Sequence, residues 1–169
     1  MAVCVSMISF ELSNEGRAYV PLYIKPFEKA VLTEVMFKVD TGADLTTIDK
    51  DYLYALGYTQ SWIEANAVKD ETRTLSGTGD KSELAWYVDV QIFNFAGRDM
   101  KNWPIYIRIE DSRNFPNLLG LDVLSNFNFK FDYDNAVVLF ESAKNPKIVL
   151  PRLGKQEVTD LGSELHEFV

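Results

Sequence analysis

Residues 37–48 constrain the fold more than any other part of the sequence. An apolar run rich in β-forming residues ends abruptly in Asp40, Thr41 and Gly42, which indicates a strand that leads straight into a tight turn. Because glycine has no Cβ, Gly42 allows the backbone to turn where another residue would clash. The strand thereby fixes a carboxylate in a loop, as general acid–base chemistry requires, although an ordinary strand-ending turn explains the same three residues without any function.

Short alternating runs separated by turn residues make up most of the first 141 residues. They predict strands without the strand–helix–strand rhythm of a parallel α/β sheet. Asp49 and Gly57 are suitable ends for a short helix over residues 48–56, and a helical turn is expected near residues 122–126. The sequence therefore predicts an all-β, barrel-like architecture with one or two short helices. The predicted strands cover residues 6–12, 17–25, 29–40, 65–75, 83–95, 102–110, 128–132 and 136–141.

Composition narrows the range of partners and cofactors. Hydrophobic residues make up 47% of the chain, which predicts a packed core. The formal net charge of −8 disfavours a nucleic-acid partner and an anionic membrane surface, since both are bound by clustered cations. Cys4 is the only cysteine and His166 the only histidine, so an intrachain disulfide is excluded and a histidine-based metal site or triad is disfavoured. We expect no metal and no organic cofactor.

The start of the chain bears on localisation. Residues 1–8 are apolar but lack a basic start and are soon followed by Glu11 and Glu15, so we interpret them as a strand and not as a signal peptide. No apolar run reaches the length of a membrane span. Together with the single cysteine, these features predict a cytoplasmic protein.

Two further motifs follow the Asp-Thr-Gly turn along the chain. A glycine-rich tip at residues 76–80 separates two predicted strands, and Leu118, Leu119 and Gly120 precede a short helical turn. The last motif is equally compatible with a plain buried strand followed by the start of a helix. With the turn at residues 40–42, however, the motifs in this order resemble the retropepsin-like family of aspartic proteases, over about residues 29–141. The resemblance implies a retropepsin-like barrel with a flap hairpin.

The resemblance also assigns roles to particular residues. Asp40 would be the catalytic carboxyl, Thr41 would hydrogen-bond across a dimer interface, and Gly42 would contact the substrate backbone. Residues 118–120 would lie behind this loop and support it. The remaining substrate-binding positions would be Ala43 and Asp44 after the turn and Gly77, Thr78 and Gly79 at the tip of the flap.

The chain contains a single Asp-Thr-Gly sequence, whereas this type of hydrolysis uses two carboxyls. The second carboxyl would therefore come from a second chain, which predicts a homodimer with the two Asp40 side chains beside its two-fold axis. The predicted function is an aspartic endopeptidase acting on a peptide or protein substrate. The alternative is a non-catalytic peptide-binding or regulatory domain on the same fold, because a fold does not determine a function.

Two positions depart from the retroviral pattern. Leu121 stands where retroviral relatives commonly carry an arginine that pairs with the acid corresponding to Asp44. Lys38 lies two residues before Asp40, on the same face of the strand, where relatives usually have an apolar residue that lines a substrate pocket. From the sequence we favour a lysine whose ammonium reaches water, and the alternative is a pocket that prefers acidic side chains.

Residues 142–169 are predicted to form a C-terminal extension outside the barrel domain of residues 1–141. Val158, Leu161, Leu165 and Phe168 have the spacing of one helix face, although Gly162 and the terminal position equally fit a frayed tail. A helix here would cover the barrel or mediate self-association. An acidic tail that occupies the cleft or blocks dimerisation is a third possibility for this segment.

Overall fold

The computed structural model describes residues 7–76, 82–108, 115–142 and 157–160, with the backbone alone at residues 70–76, 82–85 and 157–160. This part of the chain holds eleven strands and three short helices. The helices are α1 Lys50–Ala55, α2 Gln60–Asn66 and α3 Leu121–Leu124. The strands are β1 Met7–Glu11, β2 Tyr19–Lys25, β3 Thr33–Val39, β4 Thr47–Asp49, β5 Val68–Ser76, β6 Ser82–Phe95, β7 Arg98–Arg108, β8 Leu118–Leu119, β9 Phe127–Asp132, β10 Val137–Ser142 and β11 Glu157–Asp160.

Six strands close into a barrel in the order β7, β4, β8, β3, β2 and β6, because β6 pairs back to β7. β5 continues the sheet beyond β6, and β11 extends it on the other side of β7. The all-β barrel that the sequence predicted is therefore confirmed. The expectation of one or two helices was too low, since α2 occupies a segment where we expected a loop and the start of a strand.

Strand β3 has one face in the barrel core and one face on the outside of the barrel. Val35, Phe37 and Val39 are buried in the barrel core, whereas Met36 is exposed and Lys38 is half-buried on the outer face. This alternation has the two-residue period of a strand with one buried face, so it fixes which side chains face outward near the end of β3.

Strands β1, β10 and β9 form a separate three-stranded antiparallel sheet. Its aromatic side chains pack against the end of the barrel. The ring of Phe140 lies 4.9 Å from that of Phe95, and the ring of Phe127 lies 5.1 Å from Phe95, both in edge-to-face geometry. These contacts join the small sheet and the barrel into one apolar core.

Helix α1 forms where the sequence predicted it. The Asp49 side chain accepts a hydrogen bond from the backbone N–H of Asp51, which caps the helix, and Gly57 follows its end with a φ of +96°. A left-handed residue at this position is the usual way for a helix to stop. α1 directly follows β4, and its Leu53 is buried in the core.

The two outer strands relate to the flap and the C-terminal extension. β5 and β6 form the antiparallel hairpin predicted for the flap, but its tip, with Gly77, Thr78 and Gly79, lies outside the described residues. β11 pairs with residues 98–101 of β7, so the expectation of a helix from Val158 is wrong for Glu157–Asp160. The rest of the predicted helix lies outside the described residues, and the division at residue 141 stays a prediction. No helix in the described ranges is both long and apolar enough to cross a membrane.

Candidate active site

Asp40 is positioned by the pairing of two parallel strands. β8 runs alongside β3, with Leu118 opposite Lys38 and Leu119 opposite Val39. The backbone N–H of Asp40 continues this pairing, because it donates to the carbonyl oxygen of Leu119 at 3.0 Å. Asp40 is thus the last residue held by the sheet, and its side chain is half-buried at the start of the loop that leads to β4.

The turn after Asp40 holds the carboxylate itself. The N–H of Gly42 donates to Oδ1 of Asp40 at 2.9 Å, and the N–H of Ala43 donates to the Asp40 carbonyl oxygen at 3.2 Å. Gly42 is not among the described glycines with positive φ. A Cβ at this position would lie 3.3 Å from Oδ1 of Asp40. Glycine is therefore favoured here because the backbone lies close to the carboxylate, and not because the turn needs a left-handed residue.

Residues 118–120 lie behind the loop, as the sequence predicted. β8 is placed between β3 and β4, since Leu118 also pairs with Thr47 of β4. A Cβ on Gly120 would lie 2.5 Å from the backbone carbon and 2.6 Å from the carbonyl oxygen of Leu45. Only a glycine allows the two backbones to approach this closely.

A buried hydroxyl–carboxylate pair links the loop to helix α3. Thr46 is fully buried; its Oγ1 donates to Oδ1 of Asp122 at 2.6 Å and accepts the N–H of Gly120 at 3.0 Å. Oδ1 of Asp122 also accepts the N–H of Val123 at 2.9 Å. Since each buried polar group has a partner, the pair stabilises the loop and does not weaken it.

The main chain adds two further bonds between the same segments. The N–H of Leu121 donates to the carbonyl oxygen of Ala43 at 2.8 Å, and the N–H of Asp122 donates to that of Asp44 at 3.1 Å. The carbonyl oxygens of Ala43 and Asp44 are thus both bound by the segment behind the loop. The loop that carries Asp40 is therefore held from its first residue to Thr46.

Asn117 supports the site from the position directly before β8. It is 2% exposed, and its Oδ1 accepts the N–H of Asp49 at 2.8 Å while its Nδ2 donates to the carbonyl oxygen of Met36 at 3.2 Å. Its own carbonyl oxygen accepts the N–H of Lys38 at 2.8 Å. One side chain thus joins β3 and β4 at the point where β8 enters between them.

Arg108 holds the segment that leads into Asn117. Its Nη2 donates to the carbonyl oxygen of Phe115 at 3.1 Å, and the residue lies opposite Asp49 in the register of β4 with β7. Burial lowers the pKa of Arg108, and the nearby charge of Asp49 acts in the opposite direction. The guanidinium remains a cation, because arginine titrates far above neutral pH.

The remaining predicted site residues of the loop differ in how far they are exposed to solvent. Thr41 and Asp44 are exposed on the loop, and Ala43 is half-buried. Leu121, which replaces the expected arginine, bonds to Ala43 through its backbone N–H and packs its side chain against the core, and Asp44 is held through its carbonyl oxygen. Among the described residues, no group of three or more histidine, cysteine, aspartate or glutamate side chains is arranged to hold a metal ion.

Sequence reasoning missed Thr46 and Asn117, and it placed Asp122 only at the start of a predicted helical turn. A signal was present, because Asp122 lies between Leu121 and Val123 and Thr46 lies close to Leu45 and Ile48, so both are polar residues beside apolar ones. Buried polar side chains need partners, so these two residues were candidates for each other. Their separation of 76 positions concealed the pairing.

No protein-family model matches the chain, and no curated protein matches it. Among solved structures, the protein is similar to a retropepsin-like aspartic protease from Rickettsia conorii, with a TM-score of 0.61 and 19% sequence identity. The match covers 82% of this chain and 92% of the other. At this identity the likeness establishes the fold alone, and the barrel described above is consistent with the retropepsin-like fold.

Proposed function

We propose that this retropepsin-like barrel is an aspartic endopeptidase, in which two Asp40 carboxyls, one from each chain of a homodimer, activate a water molecule. The observation that carries the proposal is the way Asp40 is held. Its backbone is bonded to Leu119, and Oδ1 accepts the N–H of Gly42 at 2.9 Å. A carboxyl with this degree of preorganisation meets the geometric requirement for acid–base catalysis.

The second carboxyl oxygen of Asp40 is available for chemistry. Within the described ranges, Oδ2 has no hydrogen-bond partner, whereas Oδ1 is occupied. Peptide hydrolysis needs a base that takes a proton from water and an acid that protonates first the carbonyl oxygen and then the leaving nitrogen. Two carboxyls in contact supply both, because like charges at that distance cannot both ionise and the pair shares a proton.

The second carboxyl for this role is assigned to a second chain, because the Asp-Thr-Gly sequence occurs once. Asp122 is buried and already accepts hydrogen bonds from Thr46 and Val123, so it is part of the support and not of the reaction. A second copy of Asp40 across a two-fold axis meets the requirement without any further residue. Thr41 is exposed on the same loop and is free to bond to the partner loop, as the family resemblance implies.

A peptide is the substrate class that fits this arrangement. An extended chain would lie over the outer face of the loop, with Ala43 and Asp44 binding its backbone and Gly77, Thr78 and Gly79 closing over it. The solved structure to which this protein is similar is described as an aspartic protease, which supports the assignment. Closure of a hairpin over the bound chain would exclude water from the reacting groups.

The test is cleavage of a diverse peptide library by wild type and Asp40→Asn, from mildly acidic to neutral pH, combined with sedimentation. We expect a wild-type dimer that cleaves peptides and a variant that still dimerises but has lost activity by a factor of at least about 10². Asp134→Asn is the matched control, because Asp134 is an exposed residue of the β9–β10 turn.

Two results would contradict the proposal. Equal cleavage by wild type and Asp40→Asn would show that the activity does not depend on this carboxyl. A wild-type monomer that binds peptides without cleaving them would instead favour the non-catalytic peptide-binding domain.

A further inference from the structure

Lys38 occupies an unusual place on the outer face of the barrel. It lies two residues before Asp40 on the same face of β3, a separation of about 7 Å along a strand. Its cross-strand neighbours are Tyr19 on β2 and Leu118 on β8, and all three side chains are half-buried. A lysine thus stands between an aromatic and an aliphatic residue, next to the candidate catalytic carboxyl.

The ammonium of Lys38 has no counter-ion in the part of the chain that the structure describes. The nearest acid on the same face of β3 besides Asp40 is Glu34, four residues away, and Glu34 is hydrogen-bonded to Tyr23. Tyr19 and Leu118 carry no charge that compensates a cation. An ammonium that has no counter-ion, carried on a half-buried side chain, gains free energy from an anion that is brought to it.

We propose that Lys38 determines specificity by binding an acidic side chain of the substrate next to the scissile bond. This inference rests on the proposed function, since it names the substrate class of the same site. A peptide that reaches Asp40 lies over this face of β3, and a residue adjacent to the scissile bond is within reach of the lysine stem. Lys38 is a specificity-determining residue and takes no part in the bond-breaking step.

The two-fold axis extends the inference to both sides of the bond. Because the axis relates the two Asp40 residues, it also places one Lys38 on each side of the scissile bond. Two carboxyls that share one proton carry a single negative charge, whereas the two ammonium groups carry two positive charges. The site therefore accommodates an acidic residue immediately before the bond, after it, or at both positions, despite the net charge of −8 on each chain.

The experiment compares kcat/KM for peptides that are identical except for Glu, Gln or Lys at the two residues flanking the bond. For wild type we expect Glu to be preferred over Gln by about fivefold to tenfold at each position, as for a partly screened, charge-assisted hydrogen bond. Lys38→Met removes the preference, and Lys38→Glu transfers it to the lysine peptides. High ionic strength reduces the wild-type preference.

Lys25→Met is the matched control, because Lys25 on β2 is also half-buried. It lies six residues from Tyr19, the cross-strand neighbour of Lys38, which is roughly 20 Å along the strand. It removes the same charge and should leave the preference unchanged. Unfolding midpoints of all three variants show whether any of them perturbs the fold.

A second readout separates this inference from the proposed function. The same peptides are labelled and titrated by fluorescence anisotropy against Asp40→Asn, with and without Lys38→Met. Cleavage without any preference for Glu, or with a preference that Lys38→Met leaves intact, overturns the inference while the protease function stands. Absence of cleavage with Lys38-dependent binding of the Glu peptides upholds the inference and refutes the protease function. Absence of both cleavage and preferential binding overturns both.

Discussion

Replacing Gly120 with alanine would place a methyl group where the backbone of the Asp40 loop already lies. The new Cβ would be 2.5 Å from the carbonyl carbon of Leu45, 2.6 Å from its oxygen and 2.9 Å from the carbonyl oxygen of Ala43. Each of these atoms belongs to the main chain, so no flexible side chain can move aside. The φ of Gly120 is −94°, which any residue adopts, and the whole effect therefore comes from lack of space.

The expected loss of stability follows from the displacement that the methyl group requires. Non-bonded carbon atoms prefer separations of about 3.5–4.0 Å, so the loop must retreat by about 1 Å. Overpacking of this kind costs about 2 kcal/mol. The displacement also weakens two hydrogen bonds, at about 1 kcal/mol each: the one from the Gly120 N–H to Thr46 and the one from the Leu121 N–H to Ala43. The lower entropy of the unfolded alanine chain returns about 0.7 kcal/mol. The net destabilisation is about 3 kcal/mol.

Urea denaturation measures this loss directly. With a slope of about 2 kcal/mol per molar urea, the midpoint of Gly120→Ala should fall by about 1.5 M. Gly97→Ala is the control, since Gly97 has a φ of +74° but its Cβ would meet only Ile8, at 3.8 Å. In that variant only the left-handed backbone conformation lowers the free energy of unfolding, by about 1 kcal/mol. A midpoint for Gly120→Ala no lower than that of Gly97→Ala would refute the steric argument.

Two further perturbations test the interior around the site. Thr46→Val keeps the shape of the side chain but leaves the Asp122 carboxylate and the Gly120 N–H without their shared partner, so the free energy of unfolding should fall by about 2–4 kcal/mol. Thr46→Ser keeps the hydroxyl and should lower it by only about 1 kcal/mol. Equal losses for the two variants in urea denaturation would contradict the role of the hydroxyl. Burial, reinforced by the nearby charge of Asp89, raises the pKa of Tyr58. The folded state therefore holds the phenol proton of Tyr58 more tightly than the unfolded state does, and stability should fall as the pH rises above the unfolded tyrosine pKa of about 10. Unfolding midpoints at about pH 9 and about pH 11 should therefore differ less in Tyr58→Phe than in wild type, and equal slopes would count against the assignment.

The parts of the site that were predictable from the sequence are those encoded by neighbouring residues. Strand alternation up to Val39 and the turn chemistry of Gly42 place Asp40 at the end of β3, and both can be recognised within a dozen residues. The contribution of Asn117 could not be found in this way. Its hydrogen bond to the N–H of Asp49 joins residues 68 positions apart, and only the closed barrel brings them together.

The errors in secondary structure have equally specific causes. Helix α2 contains no fully buried residue, so it lacks the apolar periodicity that predicts a helix, although Thr59 caps it through a hydrogen bond from the N–H of Trp62. Glu157–Asp160 shows the opposite case. Its neighbourhood has helical spacing of apolar residues, but backbone pairing with β7 makes it a strand. Pairing with β7 decided this segment against its local pattern, whereas α2 begins at a local cap that apolar periodicity does not reveal.

The order in which the chain can fold is constrained by the pairing of β3 with β8. A polypeptide that has emerged only as far as β7 contains Asp40, Thr46 and the turn between them, but it lacks residues 118–122, which bond to this turn through Leu119, Gly120, Leu121 and Asp122. Contacts of such long sequence separation must first overcome the entropy of closing a large loop, so they form late and slowly. Asp40 therefore gains the backbone support of Leu119 only when both halves of the barrel have met, and a half-made chain carries this carboxylate without the segment that holds its loop.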